Sequence, residues 1–170
     1  MRKTIAAALL SFFTVTAAHA EPMLDSIRAD WKTYIFVSST MPHESLVQLA
    51  YDSGQSGAVL VLNGFSGIAL GAPVNIQVMQ KFVGEINAAC CKTSKRPGWI
   101  IDPKLFERYH VTSVPSFVIA FGDTNRINDY SLVVGDMTLA NALKFFAQES
   151  KLYGVRERAT SVYNKTYGSQ

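Results

Sequence analysis

The sequence predicts an α/β fold with a mixed sheet, and three observations carry this prediction. A buried strand, a helix and a second buried strand follow one another between Thr33 and Leu62. The apolar run from Phe117 to Phe121 is followed by a turn, a returning strand and a last amphipathic helix. Val114-Pro115 lies just before that run, separated from it by Ser116 alone. Since proline has no backbone N–H, Pro115 must stand at the start of the strand or in a special turn. Strand–helix–strand first and a hairpin with a helix last is typical of an α/β domain.

The first twenty residues have the pattern of a secretory signal peptide. Arg2 and Lys3 precede an apolar run, Ile5 to Val15, which is too short to span a bilayer. Ala18-His19-Ala20 then forms an A-x-A cleavage site. We therefore expect cleavage after Ala20, export to the periplasm and a mature chain of 150 residues (170 − 20).

Composition limits the partners of that mature chain. The whole sequence carries 16 Lys+Arg and 13 Asp+Glu, and removing Arg2 and Lys3 leaves 14 against 13, a net charge of +1. No basic stripe with interleaved aromatics is present, so we expect no nucleic-acid partner. No second apolar stretch is long enough to cross a membrane, so we expect no stable membrane insertion after cleavage. The predicted parts are a signal peptide (1–20), one domain (21–150) and a polar tail (151–170).

In the first half of the chain, each element has its own pattern. Helical spacing from Leu24 to Trp31 predicts a short N-terminal helix, and Thr33 to Ser38 predicts a buried strand. A helix opens near Pro42, which is tolerated in a first turn, and continues to Gly54 and Gly57. Ala58 to Leu62 is a continuous apolar run, as expected of a strand covered on both faces.

The region from Gly64 to Gly98 is rich in turn residues at both ends and is predicted to contain one helix. Asn75 is its predicted N-cap, and apolar residues then recur at helical spacing. This predicted face consists of Ile76, Met79, Val83, Ile86 and Cys90.

The second half of the chain supplies a short strand and then the elements around Pro115. Trp99 to Ile101 is the short strand, and Asp102 with Pro103 starts a helix. That helix turns Leu105, Phe106 and Tyr109 inward. Gly122 to Arg126 is a turn, Tyr130 to Val134 an edge strand, and Asp136 or Thr138 the cap of a helix that buries Leu139, Leu143 and Phe146.

The tail from Lys151 to Gln170 is polar and rich in tyrosine. Val155, Ala159 and Val162 indicate one more amphipathic segment within it. Two alternatives stay open: a flexible tail, or a segment that orders on a partner.

The order helix, Val-Pro, strand, hairpin and helix resembles the C-terminal half of the thioredoxin fold. The resemblance implies a three-layer α/β fold with a helical insertion, a cis peptide bond before Pro115, and a proline that forms one wall of a site. In thioredoxin-like enzymes a Cys-x-x-Cys motif follows the first core strand, where the helix N-terminus stabilises the thiolate. Here those positions read Ser38-Ser39-Thr40-Met41-Pro42, and the Met41 thioether cannot cycle through disulfides. We therefore expect no catalytic residues and no thiol exchange at this place.

A hydroxyl nucleophile is a poor alternative at the same place. Serine and threonine need a base, and the mature chain has only His43 and His110. We read Ser39 and Thr40 as helix-capping residues, His43 as an exposed first-turn residue and His110 as the exit of the short helix.

The hypothesis for the site is a docking groove for an extended peptide, which strand addition can build without cysteine. The competing interpretation is that Pro115 is merely architectural. The candidate binding residues are Ser38, Ser39, Thr40, Met41, Pro42, Ser113, Val114, Pro115 and Ser116.

Cys90 and Cys91 are adjacent, and three interpretations stay open for them. They are two unreactive thiols at a helix end, or they bond to a partner protein, or they form a vicinal disulfide. The last closes almost no loop, so its entropic gain is small. No histidine pair lies at zinc-ligand spacing near them, and we expect neither a metal nor a cofactor.

Three segments in order also resemble the F-type TrbC family of thioredoxin-like conjugative-transfer proteins. They are Ile35 to Pro42 (IFVSSTMP), Leu60 to Gly64 (LVLNG), and Ile101-Asp102-Pro103 with Leu105-Phe106 leading to Val114 to Val118 (VPSFV). Asn63 stands where the family pattern suggests an arginine before Gly64. The resemblance implies a thioredoxin-like fold without redox activity. It also implies a role in assembling the pilus of a conjugative type IV secretion system with other periplasmic subunits.

Three functions therefore compete. The first is a non-enzymatic periplasmic assembly factor for the conjugative pilus. The second is a periplasmic thiol-disulfide oxidoreductase or isomerase that uses Cys90 and Cys91, although their spacing is not that of a Cys-x-x-Cys motif. The third is a general periplasmic peptide-binding chaperone.

Overall fold

A computed structural model describes residues 30–64, 76–91, 95–122, 126 and 128–168. In chain order its elements are β1 (Trp31–Val37), α1 (His43–Ser56), β2 (Val59–Leu62), α2 (Ile76–Cys90), β3 (Gly98–Ile101), α3 (Pro103–Arg108), β4 (Ser116–Phe121), β5 (Tyr130–Val134), α4 (Leu139–Glu149) and α5 (Tyr153–Tyr167). The signal peptide and the predicted cap Asn75 lie outside the described residues. So does most of the predicted N-terminal helix, but its last residue, Trp31, begins β1, so that assignment was wrong.

The five strands form one mixed sheet in the order β3-β2-β1-β4-β5. β1 pairs in parallel with β2, and β2 in parallel with β3. β4 is antiparallel to both β1 and β5. The α/β class with a mixed sheet is confirmed, and the carboxyl ends of β1, β2 and β3 meet at one end of the sheet.

Side chains on the two faces of the sheet form two separate apolar clusters. Alternate residues of β1 divide between them, since Ile35 and Val37 face one side whereas Tyr34 and Phe36 face the other. The larger cluster packs the sheet against α1, α2, α4 and α5. The smaller packs it against α3, whose residues Leu105 and Phe106, with Tyr109 just after the helix, are buried as predicted.

The caps explain where several helices begin. The Asp102 carboxylate accepts a hydrogen bond from the Lys104 N–H at 2.9 Å, and Pro103 opens α3, as the sequence predicts. Thr138, rather than Asp136, caps α4 by accepting from the Asn141 N–H at 3.3 Å. α1 begins after Pro42, and among the described residues no side chain caps it. The capping interpretation of Ser39 and Thr40 was therefore wrong.

α2 has the predicted bounds, and its predicted face is turned inward except at the first residue, Ile76. Ile86 is its one fully buried residue, while Met79, Val83 and Cys90 are partly covered. Ile76 was assigned to the inward face, yet 60% of its surface is exposed. Ile76 is exposed because α2 packs against the edge of the sheet. The edge strand β3 is only four residues long and does not cover the start of the helix.

The tail carries a helix of 15 residues, α5. Val155, Ala159 and Val162, whose spacing indicated an amphipathic segment, are buried against the larger cluster. Gly154 lies so close to the Trp31 indole that a Cβ there would stand 2.2 Å from its Cζ2.

Candidate functional site

The Ser38–Pro42 turn follows β1 at the carboxyl end of the parallel strands, and its polar groups largely satisfy one another. The Met41 N–H donates to the Ser38 carbonyl at 3.1 Å, and the Ser38 N–H donates to the Met41 sulfur at 3.4 Å. The Ser38 hydroxyl accepts from the Thr40 N–H at 3.2 Å and lies 2.8 Å from the Thr40 hydroxyl. Thr40 and Pro42 are exposed, whereas Met41 is partly buried against the larger cluster.

The Ser113–Ser116 turn leads into β4 and is held by two hydrogen bonds to its own carbonyls. The Ser116 hydroxyl, fully buried, donates to the Ser113 carbonyl at 2.6 Å. The Gly135 N–H donates to the Pro115 carbonyl at 3.2 Å, which ties the turn to the end of β5. The peptide bond between Val114 and Pro115 is cis. Ser113 is exposed and Val114 half-buried.

The sheet register brings the two turns together. Phe36 on β1 lies opposite Ser116 on β4. Because the two strands are antiparallel, the chain leaving β1 and the chain entering β4 share one end of the sheet. The Ser38–Pro42 turn and the Ser113–Ser116 turn therefore lie side by side, as the two walls of the candidate groove.

Within the described residues, the backbone of Val114 makes no hydrogen bond to another part of the chain. Its neighbours on both sides are bonded, since the carbonyls of Ser113 and Pro115 each accept one. Val114 thus offers one unpaired donor and one unpaired acceptor beside the Ser38–Pro42 turn, the groups that an extended peptide needs for pairing.

In the described residues, neither histidine is hydrogen-bonded to the hydroxyls of Ser38, Thr40 or Ser116. His43 and His110 are both exposed, as predicted. His110 follows α3 with a positive φ of 54° and borders a surface cavity of about 360 Å³. Asn63 and Phe106 line the same cavity.

Of the three interpretations for the cysteines, the structure has the vicinal disulfide: the sulfurs of Cys90 and Cys91 are bonded. The pair sits at the last turn of α2, and the Cys91 N–H still donates to the Asn87 carbonyl at 3.0 Å. Cys91 borders a cavity of about 400 Å³ together with Asn87 and Arg96.

The disulfide and the two turns lie at opposite ends of the sheet. α2 ends at Cys90 shortly before β3 begins at Gly98, so the disulfide lies at the amino end of the parallel strands. The turns lie at the carboxyl end. Four paired residues per strand separate the two ends, which at ~3.3 Å per residue is on the order of 10 Å.

One buried acid was missed from the sequence. Asp52 on α1 is 3% exposed and accepts a hydrogen bond from the Gln48 amide at 3.2 Å. Burial raises the pKa of the Asp52 carboxyl, while the Tyr167 hydroxyl, Gln48 and the Leu139 N–H oppose the shift by favouring the charged form. Burial and the nearby Asp52 charge also raise the pKa of the Tyr167 hydroxyl. Asp52 gave no sequence signal because, apart from Gln48 on the same helix, its partners Leu139 and Tyr167 come from helices remote in the chain.

Two further observations bear on what the molecule can hold. Within the described ranges, no three His, Cys, Asp or Glu side chains stand close enough to bind a metal ion together. None of the helices in those ranges combines the length and the apolar character required to cross a bilayer.

Comparison with known proteins assigns the chain to a family. No curated protein and no solved structure matches the chain. A family model described as "Type-F conjugative transfer system pilin assembly protein" matches residues 35–146, which contain both turns and all five strands except the first residues of β1. The chain therefore belongs to the F-type TrbC family of conjugative pilin assembly proteins.

Proposed function

We propose that this chain is a periplasmic, non-enzymatic assembly factor for a conjugative pilus and its type IV secretion system, and that it acts through protein–protein contacts. The observation that carries the proposal is the family match over residues 35–146. Membership of that family supports a role in conjugative pilus assembly, and the chemistry of the two turns supports contact rather than catalysis.

We infer further that the fold is thioredoxin-like. β1, α1 and β2 form a parallel strand–helix–strand unit, and β4, β5 and α4 form a hairpin with a helix. The two units join through the β1–β4 pair, and Pro115 precedes β4. α2 then lies within the helical insertion that the resemblance implies, Gly64 to Gly98, and β3 follows it as the edge strand of the sheet. A crystal structure in which β4 did not pair with β1 would contradict this assignment.

The chemistry of the Ser38–Pro42 turn supports a non-enzymatic role. Thiol exchange requires a thiolate, and the Met41 thioether has no proton to lose. The Ser38 and Thr40 hydroxyls are 2.8 Å apart and bond within the turn, and in the part of the chain that the structure describes neither is hydrogen-bonded to a base that could activate it.

In the proposed mode of action, an extended segment of a partner docks between the Ser38–Pro42 turn and the Ser113–Ser116 turn. The unpaired N–H and C=O of Val114 pair with it, and Met41 and Pro42 give it an apolar wall. The internal hydrogen bond from Ser116 to Ser113 holds the turn in place before the partner arrives, so little ordering entropy is lost on binding.

A thiol oxidoreductase remains the second candidate because a disulfide is present. Cys90 and Cys91 lie on α2, at the other end of the sheet from Val114. A substrate peptide docked at Val114 could not reach them without spanning the sheet. A general chaperone is the third candidate, and the family match favours a dedicated partner over unrelated unfolded clients.

The groove is tested by Ser113→Arg in a donor strain that lacks this chain. Ser113 is exposed, so arginine fills the groove without disturbing the core. We expect pilus production and transfer to fall by at least about tenfold, the equivalent of ~1.4 kcal/mol of binding. Ser161→Arg, which places the same side chain on the exposed face of α5, is the control and should rescue fully. Full rescue by Ser113→Arg would show that this groove takes no part in pilus assembly.

The cellular location is tested separately. We expect fractionation of the donor to find the chain in the periplasm with Glu21 at its N-terminus. Recovery in the cytoplasm with residues 1–20 attached would contradict the periplasmic assignment.

A further inference from the structure

β3 forms one edge of the sheet, and within the described residues its outward backbone groups have no backbone partner. The Asp102 N–H donates to the Leu62 carbonyl at 3.1 Å, so the backbone groups of Asp102 face β2. Along a strand the backbone groups of successive residues face opposite sides, and this bond therefore tells which residues of β3 face β2. Ile100, two residues earlier, therefore also faces β2, whereas the N–H and C=O of Trp99 and Ile101 point away from the sheet. Within the described ranges, no backbone group pairs with them.

An apolar groove runs beside this open edge. It is a cavity of about 370 Å³ between β3 and α2, at the carboxyl end of the parallel strands. Its lining residues are Leu62, Met79, Gln80, Val83, Trp99 and Ile101. The Trp99 indole N–H donates to the Asn87 side chain at 3.1 Å, which holds the ring against α2 as the floor of the groove.

Natural edge strands are usually protected by a charge or proline within the strand, or by a covering element. The four residues of β3, Gly-Trp-Ile-Ile, include neither a charge nor a proline. The apolar surface continues onto the start of α2, where Ile76 is 60% and Val78 50% exposed. An open edge beside an apolar groove is the arrangement that aggregates unless a partner covers it.

Two exposed cations indicate the chemistry expected at one end of a bound segment. Lys95 and Arg96 lie just before β3 and are exposed, and neither has an acidic partner in the described part of the chain. Pro97, which follows them, is buried, so the two cations stand at a fixed place beside the amino end of β3. They complement acidic residues at the matching end of a bound segment.

We propose that the groove between β3 and α2 binds an extended segment of another subunit of the transfer apparatus. The segment adds to the sheet as a strand beside β3 and pairs with the outward groups of Trp99 and Ile101. Its apolar side chains, at alternate positions, enter the groove, and its acidic end lies beside Lys95 and Arg96. The inference rests on the proposed function, which supplies the partner.

The opposite edge of the sheet is a weaker candidate. The cavity beside β5, about 430 Å³, has Ser131, Glu149, Ser150 and Lys151 in its lining. The Ser131 and Ser150 hydroxyls are already bonded to each other at 2.9 Å. β5 therefore serves as the internal control.

Strand pairing is tested by two substitutions at one position. Ile101→Pro removes the outward N–H and no bond to β2, whereas Ile101→Ala removes the side chain and keeps the N–H. In the deletion strain we expect Ile101→Pro to lower transfer at least about tenfold relative to Ile101→Ala, which matches one lost hydrogen bond of ~1.4 kcal/mol. Leu132→Pro, the same change at an outward position of β5, should lower transfer less than about threefold. Thermal unfolding of each purified variant checks that it is folded.

The contribution of the two cations is tested by reversing their charges, and because both side chains are exposed the changes should not disturb folding. Lys95→Glu with Arg96→Glu should lower transfer at least about tenfold, because two attractive charges become repulsive. Lys151→Glu with Lys165→Glu makes the same change in net charge on exposed residues elsewhere and should leave transfer unchanged.

The outcomes separate this inference from the proposed function. If the deletion abolishes transfer but Ile101→Pro and the Lys95/Arg96 double variant both restore it, the docking site is wrong and the function stands. If only the Lys95/Arg96 double variant does not restore transfer, the partner does not pair as a strand, and the proposal is overturned. If Leu132→Pro does not restore transfer and Ile101→Pro does, the partner binds at the β5 edge, and the proposal is likewise overturned. Normal transfer in the uncomplemented deletion overturns both.

Discussion

Phe36 on β1 lies directly opposite Ser116 on β4, and this pair decides where the candidate groove forms. It aligns the exit of β1 with the entry of β4, so two turns that are about seventy residues apart in sequence become neighbours. On the Ser116 side the alignment is secured by a buried hydroxyl that donates to the Ser113 carbonyl at 2.6 Å.

Ser116→Ala should therefore loosen the Ser113–Ser116 turn. The Ser113 carbonyl would lose the donor that the buried Ser116 hydroxyl supplies, which costs about 1–3 kcal/mol. Urea unfolding of the mature chain measures the loss. Ser161→Ala, on the exposed face of α5, is the control and should stay within ~0.5 kcal/mol of wild type. Equal stability of both variants would mean that the Ser116 bond contributes nothing to the turn.

Gly54 and Gly84 give a matched test of helix packing. Both are helical, but a Cβ on Gly54 would stand 2.0 Å from the Lys95 carbonyl oxygen, whereas a Cβ on Gly84 would meet nothing within 4 Å. Gly54→Ala should destabilise the protein by roughly 1–3 kcal/mol, because the contact is to backbone that must move. Gly84→Ala should stabilise it by about 0.5–1 kcal/mol through helix propensity. The same sign for both changes would show that α1 does not pack against the chain before β3.

Val155→Ala tests whether α5 belongs to the folded domain. Val155 is fully buried, so its loss should cost about 2 kcal/mol from lost burial and the cavity left behind. Val78→Ala, at a half-exposed helical position, should change stability by less than ~0.5 kcal/mol. If Val155→Ala behaves like Val78→Ala, α5 does not pack on the sheet in solution.

Asp52→Asn should stabilise the protein at neutral pH. Because burial raises the pKa of Asp52, the folded state favours the neutral carboxyl. That contribution is complete below the ordinary carboxyl pKa of about 4 and is lost as the pH rises through the raised folded value. Asparagine stays neutral throughout, so its Tm should exceed that of wild type at pH 7 and approach it near pH 4.

Ser161→Ala, which changes no titratable group at an exposed position, is the control, and its Tm relative to wild type should be the same at both pH values. A lower Tm for Asp52→Asn at pH 7 would mean that the charged carboxylate, through Tyr167 and the Leu139 N–H, stabilises the fold.

The sequence predicted the strands well because their signals are local. Phe117 to Phe121 and Ala58 to Leu62 are continuous apolar runs, and both lie in central strands with residues buried on each face. The Asp102-Pro103 start of α3 was equally readable, since a cap and a proline act within one turn.

The failures came where a distant neighbour decides the outcome. Ile76 continues the apolar period of α2, yet it is exposed because the sheet ends at a short β3. Ser39 and Thr40 have the residue types of caps, but the Ser38 hydroxyl and the Met41 sulfur organise that turn instead. Trp31 has helical spacing to residues before it, yet it pairs with Phe121 at the start of β1.

The groove between β3 and α2 could not be found from either segment alone. Met79 and Val83 look like core residues, and Trp99 to Ile101 looks like an ordinary strand. The strand order places β3 at the edge of the sheet and brings both sets of side chains to the same cavity, and neither fact can be read from one segment.

In the proposed function the protein acts by binding its partners, and the Cys90–Cys91 disulfide is dispensable for pilus assembly. The direct measurement is pilus number and transfer frequency in the deletion strain complemented with Cys90→Ser/Cys91→Ser, with the chain present at the wild-type level. We predict rescue equal to that by wild type. Transfer as low as in the uncomplemented deletion would contradict the claim and assign the function to the disulfide.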